Sequence, residues 1–139
     1  MKYIMKYLML IGRVFFALIF ILAAPGHFSK QYAIYAASAG VPFASLAVPL
    51  SGIIALLGGL SIAMGYKTKW GAWLIILFLI PVTLMMHNFW AINDKMMAQT
   101  QYVMFMKNIS MLGGAIFMAY FGSGPLSIDE ILEAKSNKK

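Results

Sequence analysis

No charged side chain occurs between Lys30 and Lys67, and none again between Lys69 and Asp94. A water-soluble domain carries charge on about a quarter of its residues. Here 11% are charged and 62% hydrophobic, with a mean hydropathy of +0.81. The solvent that suits such a chain is a lipid bilayer. In hydrocarbon every backbone N–H and C=O has to be satisfied internally, which leaves helices or closed barrels. Barrel strands alternate apolar and polar residues. The apolar runs here do not alternate, so helices are expected.

A helix needs about 20 mostly apolar residues to cross about 30 Å of hydrocarbon. Four runs qualify: Tyr7 to Ala24, broken only by Arg13; Leu46 to Gly65; Trp70 to His87; and Tyr102 to Phe121, which carries Lys107. Tyr3, Tyr7, Tyr32, Tyr35, Tyr66, Tyr102, Tyr120, Trp70, Trp73 and Trp90 fall near the ends of these runs, at the interfacial level such rings prefer. Lys2, Lys6, Lys67, Lys69, Lys135, Lys138 and Lys139 fall on one side of the four spans, and only Lys30 and Lys95 on the other. The excess of basic residues on cytoplasmic loops then places both termini in the cytoplasm. Leu22-Ala23-Ala24 resembles a signal-peptide cleavage site, but Arg13 interrupts the run where a signal core is unbroken.

The expected architecture is all-α: a four-transmembrane-helix bundle over residues 1–126. Tyr32 to Ala37, closed by Gly40 and Pro42, reads as a short interfacial helix between the first and second spans. Residues 127–139 read as a short amphipathic turn opened by the capping-box spacing Ser127-Ile128-Asp129-Glu130, followed by a disordered basic tail from Lys135 to Lys139.

The net charge of +7 lies at the ends of apolar runs and forms no patch interleaved with aromatics, so nucleic acid is not an expected partner. The chain has no cysteine, which excludes disulfide, thiol and thiolate–metal chemistry within it.

Leu57-Gly58-Gly59 and Leu112-Gly113-Gly114 recur in the second and fourth spans, and His27-Phe28 and His87-Asn88-Phe89 follow the first and third. Two similar hairpins side by side would produce this pattern. Ser51, Ala55, Gly59 and Ala63 stand at every fourth position of the second span, and Gly113 and Gly114 soften the fourth. Small residues so spaced let a second backbone approach, from the same chain or from another copy in a homo-oligomer.

Ionisable groups inside a membrane need a partner, a cavity or a route to the interface. His27, His87, Asn88, Lys107 and Asn108 are all expected in the outer third of the bundle. Arg13 lies about 10 Å in from the opposite side, counting 1.5 Å per residue, where it is structural or pairs with a lipid headgroup. Lys107 shares a face with Ser110 and Gly114, which marks that face as interior. Two histidines suggest haem, yet Pro25 disturbs the helix just before His27. No carboxylate lies within the spans to complete a metal site. A quinone, or a similar lipophile with carbonyl oxygens, suits the donors Lys107, Asn88, Asn108 and neutral histidine better.

His87-Asn88-Phe89-Trp90, Phe105-Met106-Lys107-Asn108, Leu112-Gly113-Gly114, Gly12-Arg13, Ala36 to Pro42 and Gly122 to Asp129 together resemble the signature of the DoxX family, along nearly the whole chain. The resemblance implies a multi-pass protein of the bacterial inner membrane. The family is named after a subunit of a thiosulfate:quinone oxidoreductase, which implies a membrane redox system with a partner enzyme. Many relatives carry a Glu before Leu-Leu-Gly-Gly in the second span, where this chain has Ala55. The expected function is an accessory redox subunit that binds a quinone and performs no catalysis alone. A small-molecule transporter and a scaffold that anchors an enzyme are the alternatives.

Overall fold

A computed structural model describes residues 2–137. Its long helices are α1 (Lys2–Ala23), α3 (Ala44–Met64), α4 (Thr68–Met86) and α5 (Lys95–Phe121), and α2 (Lys30–Ser38) and α6 (Ile128–Ser136) are short. No strand occurs among the described residues. Four helices are long and apolar enough to cross a membrane, and they match the four runs read from the sequence. A tight 3-10 turn, Ala24–Phe28, extends α1, and a second, Phe89–Ala91, follows α4.

Each boundary has a local cause. Ser29 caps α2 by accepting the Tyr32 N–H at 3.3 Å, and Asp94 caps α5 by accepting the Met97 N–H at 2.7 Å. Gly65 ends α3 in the left-handed region, at φ 65°, where a residue without Cβ fits. The last element is longer than the expected turn: α6 runs to Ser136. Of the tail read as disordered, Lys138 and Lys139 lie outside the described residues.

α1 packs on α3, α3 on α4 and α4 on α5. The contacts are close because small residues form them. A Cβ on Gly59 would come within 3.0 Å of Ile21 and 3.2 Å of Phe20 on α1. One on Gly58 would come within 2.9 Å of the Gly71 carbonyl on α4. α3 therefore presents two small-residue faces, and the ladder through Gly59 is occupied by α1 of the same chain. Ala17, Ala55, Ile62, Ala72, Ile75 and Leu79 are buried in the core between these helices.

The two glycine pairs are not equivalent. Gly58 and Gly59 are both buried, whereas a Cβ on Gly113 would meet nothing within 4 Å. Gly114 instead receives the ring of Phe16. The internal similarity thus does not extend to how the glycines pack.

α1 and α5 close the bundle unevenly. They meet at Phe16 and Gly114. Below that point, at the end bearing Lys67 and Lys69, the segment after α5 folds back over Arg13. Above it, toward His27 and His87, the helices part.

Candidate functional site

The gap between α1 and α5 is a cavity of about 120 Å³. Its walls are mostly apolar, from Ile19, Phe20 and Ala23 on α1, Ala55 on α3, Phe78, Leu79 and Val82 on α4, and Met111 on α5. Four polar residues join them: His27, His87, Lys107 and Asn108. Residues from four helices and the turn after α1 are thus brought to one place at the histidine end.

His27 is held by the 3-10 turn that Pro25 begins. Its Nδ1 lies 3.0 Å from Ser51 Oγ, and Ser51 donates its own proton to the Val48 carbonyl at 2.7 Å. The hydroxyl therefore has only lone pairs to offer, so neutral His27 carries its proton on Nδ1 and leaves Nε2 as an acceptor. The close fit with α3 depends on Gly52, where a Cβ would lie 2.6 Å from that of His27. The rings of Phe78 and Tyr32, each with its centroid 5.6 Å away, fix the imidazole plane.

His87 ends α4. Its Nδ1 lies 2.7 Å from Gln101 Oε1 on α5, an acceptor-only oxygen, so here too Nε2 is the open acceptor. The sequence reading had neutral histidine as a donor to a ligand. The network reverses that polarity, because each donor proton is already engaged. Ser51 and Gln101, which aim the two rings, were missed as site residues. From its spacing Ser51 reads as a packing residue only, and Gln101 lies in the polar first turns of α5.

Asn108 is the inward polar residue of α5. It is 4% exposed, lines the cavity, and forms no side-chain hydrogen bond with another described residue. Asn108 and Ala115 are buried, and both Lys107 and Ser110 are exposed. The interior face of α5 is therefore one residue round from the expected Lys107–Ser110–Gly114 face. Lys107 stands at the rim, and its Nζ points one turn back to Met104 Sδ at 3.2 Å, as helical side chains lean toward the N-terminus.

Asn88 does not line the cavity. It precedes the turn Phe89–Ala91, where the Phe89 ring packs against Tyr102 and Phe105 with centroids 5.2 and 5.5 Å away. This aromatic cluster ties the end of α4 to α5 and sets the height of His87. Among the described residues no group of three His, Asp or Glu side chains gathers as a metal site.

Arg13 stands apart, at the other end of the bundle. It is 5% exposed. Its guanidinium donates to the carbonyl of Ser123, and through Nη2 to that of Leu126 at 2.8 Å. The segment bends to offer both oxygens through positive φ at Gly122, Gly124 and Leu126. Asp129 then accepts the backbone N–H groups of Lys67 at 2.8 Å and Thr68 at 3.2 Å. α4 has no side-chain cap of its own, so a carboxylate from the far end of the sequence caps it. Ser127 opens α6 by accepting the Glu130 N–H at 3.1 Å, and Glu130 reaches back to the Leu126 N–H at 2.8 Å.

The DoxX family model matches residues 8–88. "Inner membrane protein YphA" of Escherichia coli (strain K12) is 28% identical over 127 residues, which cover 88% of each chain. "Inner membrane protein YqjF" of the same organism is 29% identical over 130 residues, 91% of this chain and 92% of that one. "ER-derived vesicles protein ERV29" of Saccharomyces cerevisiae (strain ATCC 204508 / S288c) is 31% identical over 78 residues, 56% of this chain but only 25% of the yeast protein's length. No solved structure matches. With four apolar spans, bacterial inner membrane relatives aligned along most of its length, and a family model over more than half of it, this chain is a multi-pass inner membrane protein that belongs to the DoxX family.

Proposed function

We propose that the cavity at the histidine end receives the ring of a quinone-type lipophile, with its tail leaving between α1 and α5 into the bilayer. The observation that carries this is Asn108, a 4%-exposed amide that lines a largely apolar space together with His27 and His87. A ligand with matching polar atoms would give the amide hydrogen bonds inside this mostly apolar cavity. At about 120 Å³ the cavity is somewhat smaller than the apolar cavity of about 150 Å³ known to take benzene, so a seated ring has to extend toward the bilayer. Haem is far too large for it.

The chemistry distinguishes the two redox forms. The Asn108 amide and the Lys107 ammonium donate to a quinone carbonyl. The Nε2 atoms of His27 and His87 accept from the hydroxyls of the reduced quinol. The site thus has donors for one form and acceptors for the other. In this reading the chain is an accessory subunit, and a partner enzyme carries out electron transfer. A through-path for transport is less favoured, because Arg13 and the segment it binds lie across the opposite end of the bundle. The basic end is taken to face the cytoplasm, from the bias in lysine and arginine.

Protein in nanodiscs, titrated with a short-tailed benzoquinone in oxidised and reduced forms, should bind it saturably, and Asn108→Leu should abolish the binding. Absence of saturable binding in both forms sinks the proposal.

A further inference from the structure

A second recess, larger than the cavity at the histidine end, lies at the other end. A crevice of about 600 Å³ lies between the start of α4, the end of α5 and α6, within the range of ligand-binding clefts. Lys67 and Lys69 line it together with Asp129, Glu130 and Glu133, and Trp70 and Phe121 belong to its wall. Both rings are strongly exposed, at 73% and 69%, and they stand where the apolar spans end. In a bilayer that is the headgroup level.

The charges in this crevice are not consumed by one another. Among the described residues no ammonium–carboxylate contact joins them. Asp129 is engaged by the N-terminus of α4, and one oxygen of Glu130 by the Leu126 N–H. Lys69, Glu133 and the second oxygen of Glu130 have no such partner among the described residues, and the Lys67 ammonium lies 5.6 Å from the centroid of the Tyr66 ring, a weak contact that a phosphate can replace. Separated opposite charges in one crevice suit a ligand that is itself dipolar. A purely anionic headgroup would meet more carboxylates than cations.

We infer that this crevice holds the headgroup of a zwitterionic, primary-amine phospholipid from the adjoining leaflet. Lys67 and Lys69 take the phosphate, Glu133 and Glu130 take the ammonium, and the acyl chains pass Trp70 and Phe121 into the bilayer. The primary amine is favoured over a quaternary one because carboxylates accept N–H hydrogen bonds, whereas a quaternary ammonium is recognised by an aromatic cage.

Native mass spectrometry tests this on the full chain released from vesicles of equimolar phosphatidylethanolamine, phosphatidylcholine and phosphatidylglycerol. Phosphatidylethanolamine should be retained in preference to both. Lys69→Gln should reduce retention of every phospholipid by about threefold, the scale of one exposed charge contact. Glu133→Gln should remove the preference for ethanolamine over choline and leave phosphate-driven retention in place. Both residues are exposed and outside the Arg13 contacts, so unchanged melting should accompany both effects. Equal retention of ethanolamine and choline lipids by the unsubstituted protein, or preference for the glycerol lipid, overturns the inference. So does full release of the lipid by soluble glycerophosphoethanolamine, which would mark a site for a water-soluble ligand.

Discussion

Arg13 Nη2 donates to the Leu126 carbonyl at 2.8 Å, across 113 positions of sequence. With its second bond to Ser123, this guanidinium holds the segment after α5 against the start of the bundle. Replacing it with Ala leaves two carbonyls without their charged donor. Arg13→Ala should therefore lower stability by about 3 kcal/mol, seen as a lower thermal midpoint in detergent. Arg13→Lys should recover only part of this, because an ammonium cannot span both oxygens in the fork geometry. Equal midpoints for all three proteins would refute the clamp.

Asp129 caps α4 from outside that helix. Asp129→Ala should cost about 1 kcal/mol, the usual scale of a lost N-cap. It should also release α6, so that trypsin cuts at Lys135 faster than in the unsubstituted protein. A cleavage rate that does not change would show that α6 is held by something else.

Two glycines in similar strings should respond in opposite directions. At Gly58 an added methyl meets the Gly71 carbonyl and Ile75, and backbone cannot give way as a side chain can. Gly58→Ala should lower stability by about 2 kcal/mol, within the range for overpacked sites. At Gly113 the added methyl meets nothing, so Gly113→Ala should raise stability by up to about 1 kcal/mol through helix propensity alone. Chemical denaturation of both variants in the same micelle checks the contrast.

Asn108→Leu separates binding from folding. It replaces a cavity-lining amide with an apolar group of similar size, so stability should hold to within about 1 kcal/mol. Binding of a short-tailed benzoquinone should disappear. A variant that loses both stability and binding would make Asn108 a structural residue.

Ser51→Ala removes the acceptor that fixes the proton on His27 Nδ1. Affinity for the reduced form should fall about fivefold, the equivalent of one hydrogen bond of about 1 kcal/mol, and that for the oxidised form less. Nitrogen NMR of the imidazole should show mixed tautomers. A single retained Nδ1–H tautomer would mean that Ser51 does not set it.

The spans were legible because their signal is local. Each long apolar run, its aromatic ends and the cap Ser127 lie within a few residues of what they determine. His27 and His87 line one cavity, and that they share a depth is readable in the sequence because depth along a helix follows from counting. Rotation around α5 was harder. Lys107 and Asn108 differ by one position, about 100° around the axis, and in a helix with small and polar residues on several faces no strong apolar stripe indicates which one points inward.

By itself, then, the sequence determined that this chain spans a membrane four times as helices, because backbone groups in hydrocarbon leave no other choice for such unbroken apolar runs. Only the tertiary structure decided what the polar side chains do. Packing turned Asn108 rather than Lys107 inward, engaged the histidine protons with Ser51 and Gln101, and brought Leu126 and Asp129 back to Arg13 and α4. Those pairings join residues far apart in the chain, and hydrogen-bond geometry at such a distance is set by how helices pack, which the spacing of residues along one helix does not encode.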